Sequence, residues 1–240
     1  MKHFLTLLLF ILISSAASAQ WWFDAGVRGG IGPTLLYDQN VFDAGDYKHK
    51  ITSGTNIGAR LGFNYGYHAG LSLEYASATS KQQFQYNSDL FNTFKIRHND
   101  FIGVFRYSGN GAYVEIGGKY SKIKDIEVEQ VDVPEPFDVT EDFEKNFVSG
   151  IFGFGSYLLG DDLISLNLGI RLHWGFGELK NESGQENRQP FFQVPGPAED
   201  YDPAKKTSLA AAQINLEFNY AFGRFAKTAC SERWRLILFQ

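Results

Sequence analysis

The sequence predicts an all-β fold, an eight-stranded antiparallel up-and-down transmembrane β-barrel. Three observations predict it. Successive segments alternate apolar and polar residues, the spacing that puts side chains on opposite faces of a strand. Beyond the first residues no apolar run is long enough for a membrane-spanning helix, which needs about 20 residues. The segments are joined by connections that are alternately short and long, as in outer-membrane barrels.

The N-terminus has the layout of an export leader. Met1, Lys2 and His3 make a basic start, Phe4 to Ile13 an apolar run, and Ser14 to Ala19 a small-residue stretch ending Ala17-Ser18-Ala19. Cleavage is expected before Gln20. No Cys follows, so no lipid anchor is expected. The predicted organisation is a signal peptide at 1–19, a barrel domain at 20–225 and a tail of unassigned structure at 226–240. Composition agrees, with 22 Phe, 12 Tyr and 25 Gly: aromatics collect at barrel rims, and glycine suits crowded inner walls. The lone Cys230 excludes an intramolecular disulfide. A formal charge of −5 argues against a nucleic-acid partner.

The clearest strand is 163–177. Ile164, Leu166, Leu168, Ile170, Leu172, Trp174 and Phe176 share one face, opposite Ser165, Asn167, Gly169, Arg171, His173 and Gly175. The C-terminal segment repeats the design, with Ile214, Leu216, Phe218, Tyr220 and Phe222 against Asn215, Glu217, Asn219 and Ala221. The residues expected to face lipid are Ile164, Leu166, Leu168, Ile170, Leu172, Leu216, Phe218 and Tyr220. Similar alternation runs through 23–31, 56–65, 69–76 and 112–120. At 99–107 we place Phe101, Phe105 and Tyr107 outward and Ile102 and Val104 inward, while at 147–159 Ile151, Phe152 and Phe154 compete and leave the phase open.

Short joins fall at 65–68, 108–111 and 159–162, the last two rich in the Gly, Asn and Asp that turns demand. Long joins fall at 38–50, 77–92, 122–146 and 178–206. Trp21, Trp22, Phe222 and Phe225 are then expected at the periplasmic rim, and Tyr37 and Trp174 near the outer one. A soluble lipocalin-type barrel would need the apolar face inside. The polar faces here, rich in Gly, Asn and charge, suit a filled lumen better than a ligand pocket.

Under these phases the inward charges are Asp24, Arg28, Arg60, Glu74, Asp100, Arg106, Glu115, Lys119, Arg171 and Glu217, five acidic and five basic. An isolated charge in a narrow lumen costs several kcal/mol, so a balanced set predicts a paired network plugging the barrel. Chemistry is sparse beside it. Gly26 to Gly32 lacks the strand–helix setting and Lys-Ser/Thr ending of a phosphate loop. The five His show no His-Glu-x-x-His spacing, and no cofactor or metal is expected. His49 and His68 read as solvated. His98, Asp100, Ser121 and His173 are the residues that would have to meet for hydrolytic chemistry at the outer rim. The acids of 122–146 suggest a solvated surface, or sites for cations that bridge lipopolysaccharide.

The leader ending at Ala19-Gln20, the first strand Asp24-Ala25-Gly26-Val27-Arg28-Gly29-Gly30 and the hairpin of 99–120, with Arg106-Tyr107 before its turn and Tyr113-Val114-Glu115-Ile116-Gly117-Gly118 after it, resemble the PorT-like outer-membrane β-barrel domain family. Phe218-Asn219-Tyr220-Ala221-Phe222 resembles the aromatic last strand by which insertion machinery recognises barrels. The resemblance implies fold and location and no catalytic residues; residues 226–240 depart from it. The expected function is a non-enzymatic outer-membrane barrel with a salt-bridged lumen and long external loops for interaction or surface roles. Its partners would be outer-membrane lipid, lipopolysaccharide and a protein held by the loops. The alternatives are an accessory of a secretion or assembly apparatus, which the resemblance allows, and a lipid-modifying enzyme.

Overall fold

The computed structural model describes residues 21–43, 47–66, 68–86, 89–131, 133–160, 163–190, 201–227 and 234–237. The expected leader at 1–19 lies outside the described residues, as do 191–200 and most of the tail. The strands are β1 (Trp21–Asp38), β2 (Tyr47–Lys50), β3 (Thr52–Tyr65), β4 (Ala69–Tyr86), β5 (Asp89–Gly109), β6 (Ala112–Gln130), β7 (Phe137–Asp138), β8 (Asn146–Gly160), β9 (Ile164–Phe176), β10 (Thr207–Lys227) and β11 (Trp234–Ile237). Eight of them run β1-β3-β4-β5-β6-β8-β9-β10, and pairing of β10 with β1 closes the ring. Every pairing in the ring is antiparallel. The architecture is an eight-stranded up-and-down transmembrane β-barrel.

The stagger follows from the pairings. Stepping from Phe23 through Phe63, Leu71, Phe105, Ile116, Phe152, Leu172 and Ala212 returns to β1 beside Pro33, ten residues further on. With strands about 4.8 Å apart and about 3.3 Å of rise per residue, that offset tilts them by roughly 40°. Each residue then climbs about 2.5 Å along the barrel axis.

The short turns lie at one end, here the turn end. Between β5 and β6, Asn110 and Gly111 both adopt positive φ, 52° and 78°, as a two-residue type I′ turn requires. The Trp22 indole N–H donates to the Gly66 carbonyl at 2.8 Å, tying β1 to the β3–β4 turn. An aromatic ring surrounds this end, with Trp21 stacked on Phe63 at 4.6 Å and Phe23 beside Phe222 at 6.3 Å.

Above that ring the outer wall is apolar and exposed, with Ile57 at 70% and Leu73 at 65%. On β6 the belt spans Ala112 to Tyr120, about 22 Å at this tilt and close to the ~25 Å band of outer-membrane barrels. Tyr75, Phe101, Tyr120 and Trp174 mark its upper edge, Tyr75 and Phe101 with ring centroids 5.1 Å apart. On β8 the phase left open resolves with Val148, Phe152 and Phe154 outward and Phe147, Ser149 and Ile151 inward. The shape of the backbone and the size of the side chains agree here: Phe152 and Phe154 need the open side, whereas Ile151 fits against Ile102 and Val104 inside.

The sequence reading placed loops at 77–92 and 122–146, and the structure corrects both. β4 continues to Tyr86, β5 begins at Asp89 and β6 reaches Gln130, so the sheet stands well above the apolar belt. At the loop end β2 adds to β4 and β7 to β6. In this upper part the pattern reverses. Lys81, Arg97, Lys122 and Asp125 line the outside, while Phe84, Phe94, Ile96, Ile123, Ile126 and Val128 are buried inside. The apolar stripe is the inward one here, and the polar stripe faces outward. Lys124 is an extra residue opposite the Arg97–His98 step, a bulge at the level of the reversal. In the tail, β11 pairs with the end of β10.

Candidate functional site

The lumen is the candidate site, and its lower half is built of charge. Asp24, Arg28, Arg60, Glu74, Asp100, Arg106, Glu115, Lys119, Arg171 and Glu217 all point inward, each exposed by no more than 6%. Eight of them form one chain in which acid and base alternate. Asp24 pairs with Arg60, and Arg60 lies 3.7 Å from Glu217. Glu217 accepts both guanidinium N–H groups of Arg106 at 2.8 Å. Arg106 reaches Glu115 at 2.6 Å, and Glu115 accepts from Arg171 Nε at 2.6 Å. Arg171 then holds both oxygens of Glu74, at 2.8 and 2.9 Å, and Glu74 takes Arg28 at 2.5 Å. Each interior member meets opposite charge on two sides, which offsets the several kcal/mol lost in removing an ion from water. Bidentate geometry strengthens the Arg106–Glu217 and Arg171–Glu74 links further.

Amides fill the remaining sites. Glu217 also accepts from Asn167 at 3.0 Å and Asn219 at 2.7 Å. Asn64 donates to Asp24 at 2.5 Å. Glycines make room for them. A Cβ on Gly26 would lie 2.1 Å from the Asn219 carboxamide oxygen, and one on Gly30 2.2 Å from that of Asn215. The Arg106 guanidinium stacks over Tyr113, 4.3 Å from the ring centre.

Higher up, Asp100 forms a separate cluster. Lys119 Nζ is 3.4 Å from one oxygen, while Ser121 donates to the other at 2.7 Å. His98 Nδ1 lies 2.7 Å from Asp100, and its Nε2 lies 3.3 Å from Ser80 Oγ. Of the four residues considered for hydrolytic chemistry, His98, Asp100 and Ser121 meet. His173 does not: both its ring nitrogens are buried without a hydrogen-bond partner. Ser80 was not anticipated, and Ser80–His98–Asp100 has the order of a catalytic relay. All three side chains are buried, however, between the charge chain and an apolar layer, with His98 edge-on to Phe147 at 5.6 Å. A substrate would have to open the barrel to reach them.

That apolar layer is the second closure. Leu36, Phe84, Phe94, Ile96, Ile123, Ile126, Val128, Phe143, Phe147, Leu179 and Leu209 are buried in one cluster over the charged lumen. Phe94 contacts Phe84 at 5.6 Å and Phe143 at 6.3 Å. The described parts of the connection 178–206, residues 178–190 and 201–206, are fastened to it. Lys180, fully buried, lies 3.4 Å from Asp38 and donates to the Lys205 carbonyl at 3.1 Å. Asp38 also accepts from Thr207 at 2.5 Å. Asp142 accepts from Ser183, Asn187 and Gln189 at 2.7 to 2.8 Å. The long connections are thus parts of a packed cap.

One further expectation needs correction. His49 is half-buried, stacked on Tyr37 at 6.1 Å, and its Nε2 accepts from the Asp38 amide at 3.2 Å. Burial holds its pKa below the ordinary imidazole value, against the opposing pull of Asp38. Among the described residues no group of three His, Cys, Asp or Glu is placed to hold a metal.

No family model matches the chain, and neither does any curated protein. Among solved structures it is similar to Neisserial surface protein A, at 8% identity over 82% of this chain and 96% of that one, with a TM-score of 0.42. The outer membrane protein AlkL matches at 13% identity, 88% and 92% coverage and a TM-score of 0.41. The outer membrane protein OprG of Pseudomonas aeruginosa matches at 13% identity, 85% and 96% coverage and a TM-score of 0.40. These are likenesses between chains that share almost no sequence.

Proposed function

We propose that this protein is an integral outer-membrane barrel that does not conduct, with a rigid external cap as its working surface. One observation carries the reading. The outer wall turns from apolar to polar at the level of Tyr75, Phe101 and Tyr120, and the large apolar cluster of the lumen begins just above, between His98 and Ile96, with only a small inward patch of Ile102, Val104 and Ile151 below it among the described residues. A sheet reverses both faces at one height only if its surroundings change there from lipid to water. The short turns then lie in the periplasm and the cap outside, and Ile164, Leu166, Leu168, Ile170, Leu172, Leu216, Phe218 and Tyr220 face lipid. The expected leader at 1–19 fits the same destination. The packed charge chain and the apolar layer each block the lumen, which supports a scaffold reading over a pore. The role of secretion accessory has in its favour only the residues quoted for the PorT-like resemblance.

Reconstitution into liposomes loaded with an osmolyte tests this. Swelling in small sugars should stay at the rate of protein-free vesicles. Rapid sugar uptake by vesicles containing folded barrel contradicts it.

A further inference from the structure

Just above the aromatic edge the outer wall is charged on one side only. Lys81 of β4, Lys122 and Lys124 of β6, and Lys145 just before β8 are exposed on one flank, with Arg97 of β5 between Lys81 and the β6 lysines. Three strand spacings make the lysine row about 14 Å wide. None of the four has a carboxylate partner among the described residues. Of the nearby acids, Asp125 and Glu127 are occupied a step higher, both by Arg97 and Glu127 also by Lys95 at 3.5 Å, while Glu144 beside Lys145 is exposed. On the other side of the barrel, β9, β10, β1 and β3 present Phe176, Ala210, Leu35 and Ser53 at this height.

Two physical points make the row more than a solvated face. Lys81 stands directly opposite Lys95 across β4 and β5, and like charges facing each other across strands destabilise a sheet. Glu127 serves Lys95, which leaves Lys81 without a counter-charge among the described residues. The row also begins with Lys122, two residues above Tyr120, which is about 5 Å higher along the axis. That is the height of lipid headgroups when aromatic rings mark the edge of the hydrocarbon.

We infer that this row is a lateral binding site for the phosphate groups of an outer-leaflet phosphoglycolipid of the lipid A type. The inference rests on the outer-membrane reading above, which puts this end of the barrel outside. Lysine ammonium groups are compact point charges suited to phosphate, and basic residues clustered at headgroup height attract anionic lipid. The site lies on one flank and so orients the barrel among its lipid neighbours.

Native mass spectrometry of the full-length barrel in neutral detergent provides the test, with titration by lipid A, dephosphorylated lipid A and phosphatidylglycerol. Lipid A should bind at least tenfold more tightly than its dephosphorylated form. K81Q/K122Q/K124Q should erase that preference and K81R/K122R/K124R should keep it, each variant first shown to be folded by heat-modifiable electrophoresis. Equal affinity for the dephosphorylated lipid, an unchanged preference in the glutamine variant, or phosphatidylglycerol binding as tightly with the same lysine dependence overturns the inference. A wild-type chain that inserts into vesicles but shows no phosphate preference overturns it alone. A chain that does not insert overturns the outer-membrane reading beneath it.

Discussion

The two halves of β5 obey opposite rules. From Tyr107 to Phe101 the strand turns aromatic side chains outward and Arg106 and Asp100 inward; from Arg97 to Phe94 it turns Arg97 and Lys95 outward and Ile96 and Phe94 inward. From Tyr107 to Phe94 the backbone of β5 alternates in the same way, the bulge at Lys124 lying on its neighbour. The comparison teaches that the medium on each side, and not strand geometry, assigns polarity to each face. It also shows why the lumen needs two kinds of filling. Charge can fill the lower lumen because the acids and bases are matched there, and an ordinary hydrophobic core fills the upper part because its outside is wet.

The largest effect expected from breaking this comparison is in the lower half. Arg106→Met takes from Glu217 its bidentate partner and from Glu115 one of its two arginines, leaves one negative charge of the buried chain unmatched, and should cost about 3–5 kcal/mol, read as a lower urea midpoint for unfolding from lipid vesicles. Arg97→Met, on the same strand but outside the cap, should leave the midpoint unchanged within error. Equal losses at the two arginines would mean that the two halves are not in different media.

Next in size is the cap core. Phe94→Ala removes a ring buried against Phe84 and Phe143 and should cost about 3–4 kcal/mol. The loss should stay local, with protease cutting 122–146 and 178–206 more readily while the barrel keeps its compact form on unheated gels. Loss of the compact form as well would show that cap and barrel fold as one unit.

The outer wall gives a smaller, depth-dependent effect. Leu61→Arg places a charge in the belt and should cost about 2–4 kcal/mol in lipid, whereas Ser53→Arg, higher on the same strand, should cost almost nothing. Folding titrations in vesicles separate the two.

The smallest effect concerns pH at the cap. Burial lowers the His49 pKa from 6.5 in the folded state, so neutral His49 contributes stability that is fully present above 6.5 and lost as pH falls through the lower folded value. Protonation also removes the acceptor that Nε2 offers the Asp38 amide. The protection factor of that amide, relative to its intrinsic exchange rate at each pH, should fall on acidification, and His49→Gln, whose carbonyl can accept the same bond, should remove the dependence.

The lower half was legible in the sequence because lipid imposes a strict rule. Seven alternating apolar residues from Ile164 to Phe176 make a stripe as tall as the hydrocarbon band when the strand is tilted, and once the outward phase is known Arg60, Glu74 and Glu217 must face inward. Which acid meets which base was not legible, since Arg106 reaches Glu217 across 111 residues. The cap was missed for a different reason. Its strands alternate as regularly as the others, with Phe94 and Ile96 against Lys95 and Arg97, and Ile126 and Val128 against Asp125 and Glu127. The alternation there is inverted relative to the belt, so a stripe of outward apolar residues, the mark of a lipid-facing strand, is absent from it. Ser80 and the Lys180–Asp38 pair left no pattern, because each depends on chain segments brought together only by the closed ring.

The account stands on that inversion, and β5 offers the most direct measurement of it. Spin labels placed singly at 105, 101, 97 and 95 in a Cys230→Ser background, reconstituted in lipid, report collisions with oxygen in the hydrocarbon and with a nickel chelate in water. Oxygen should dominate at Phe105 and Phe101 and nickel at Arg97 and Lys95. Oxygen dominance continuing to Lys95, or nickel access at Phe105, would contradict it.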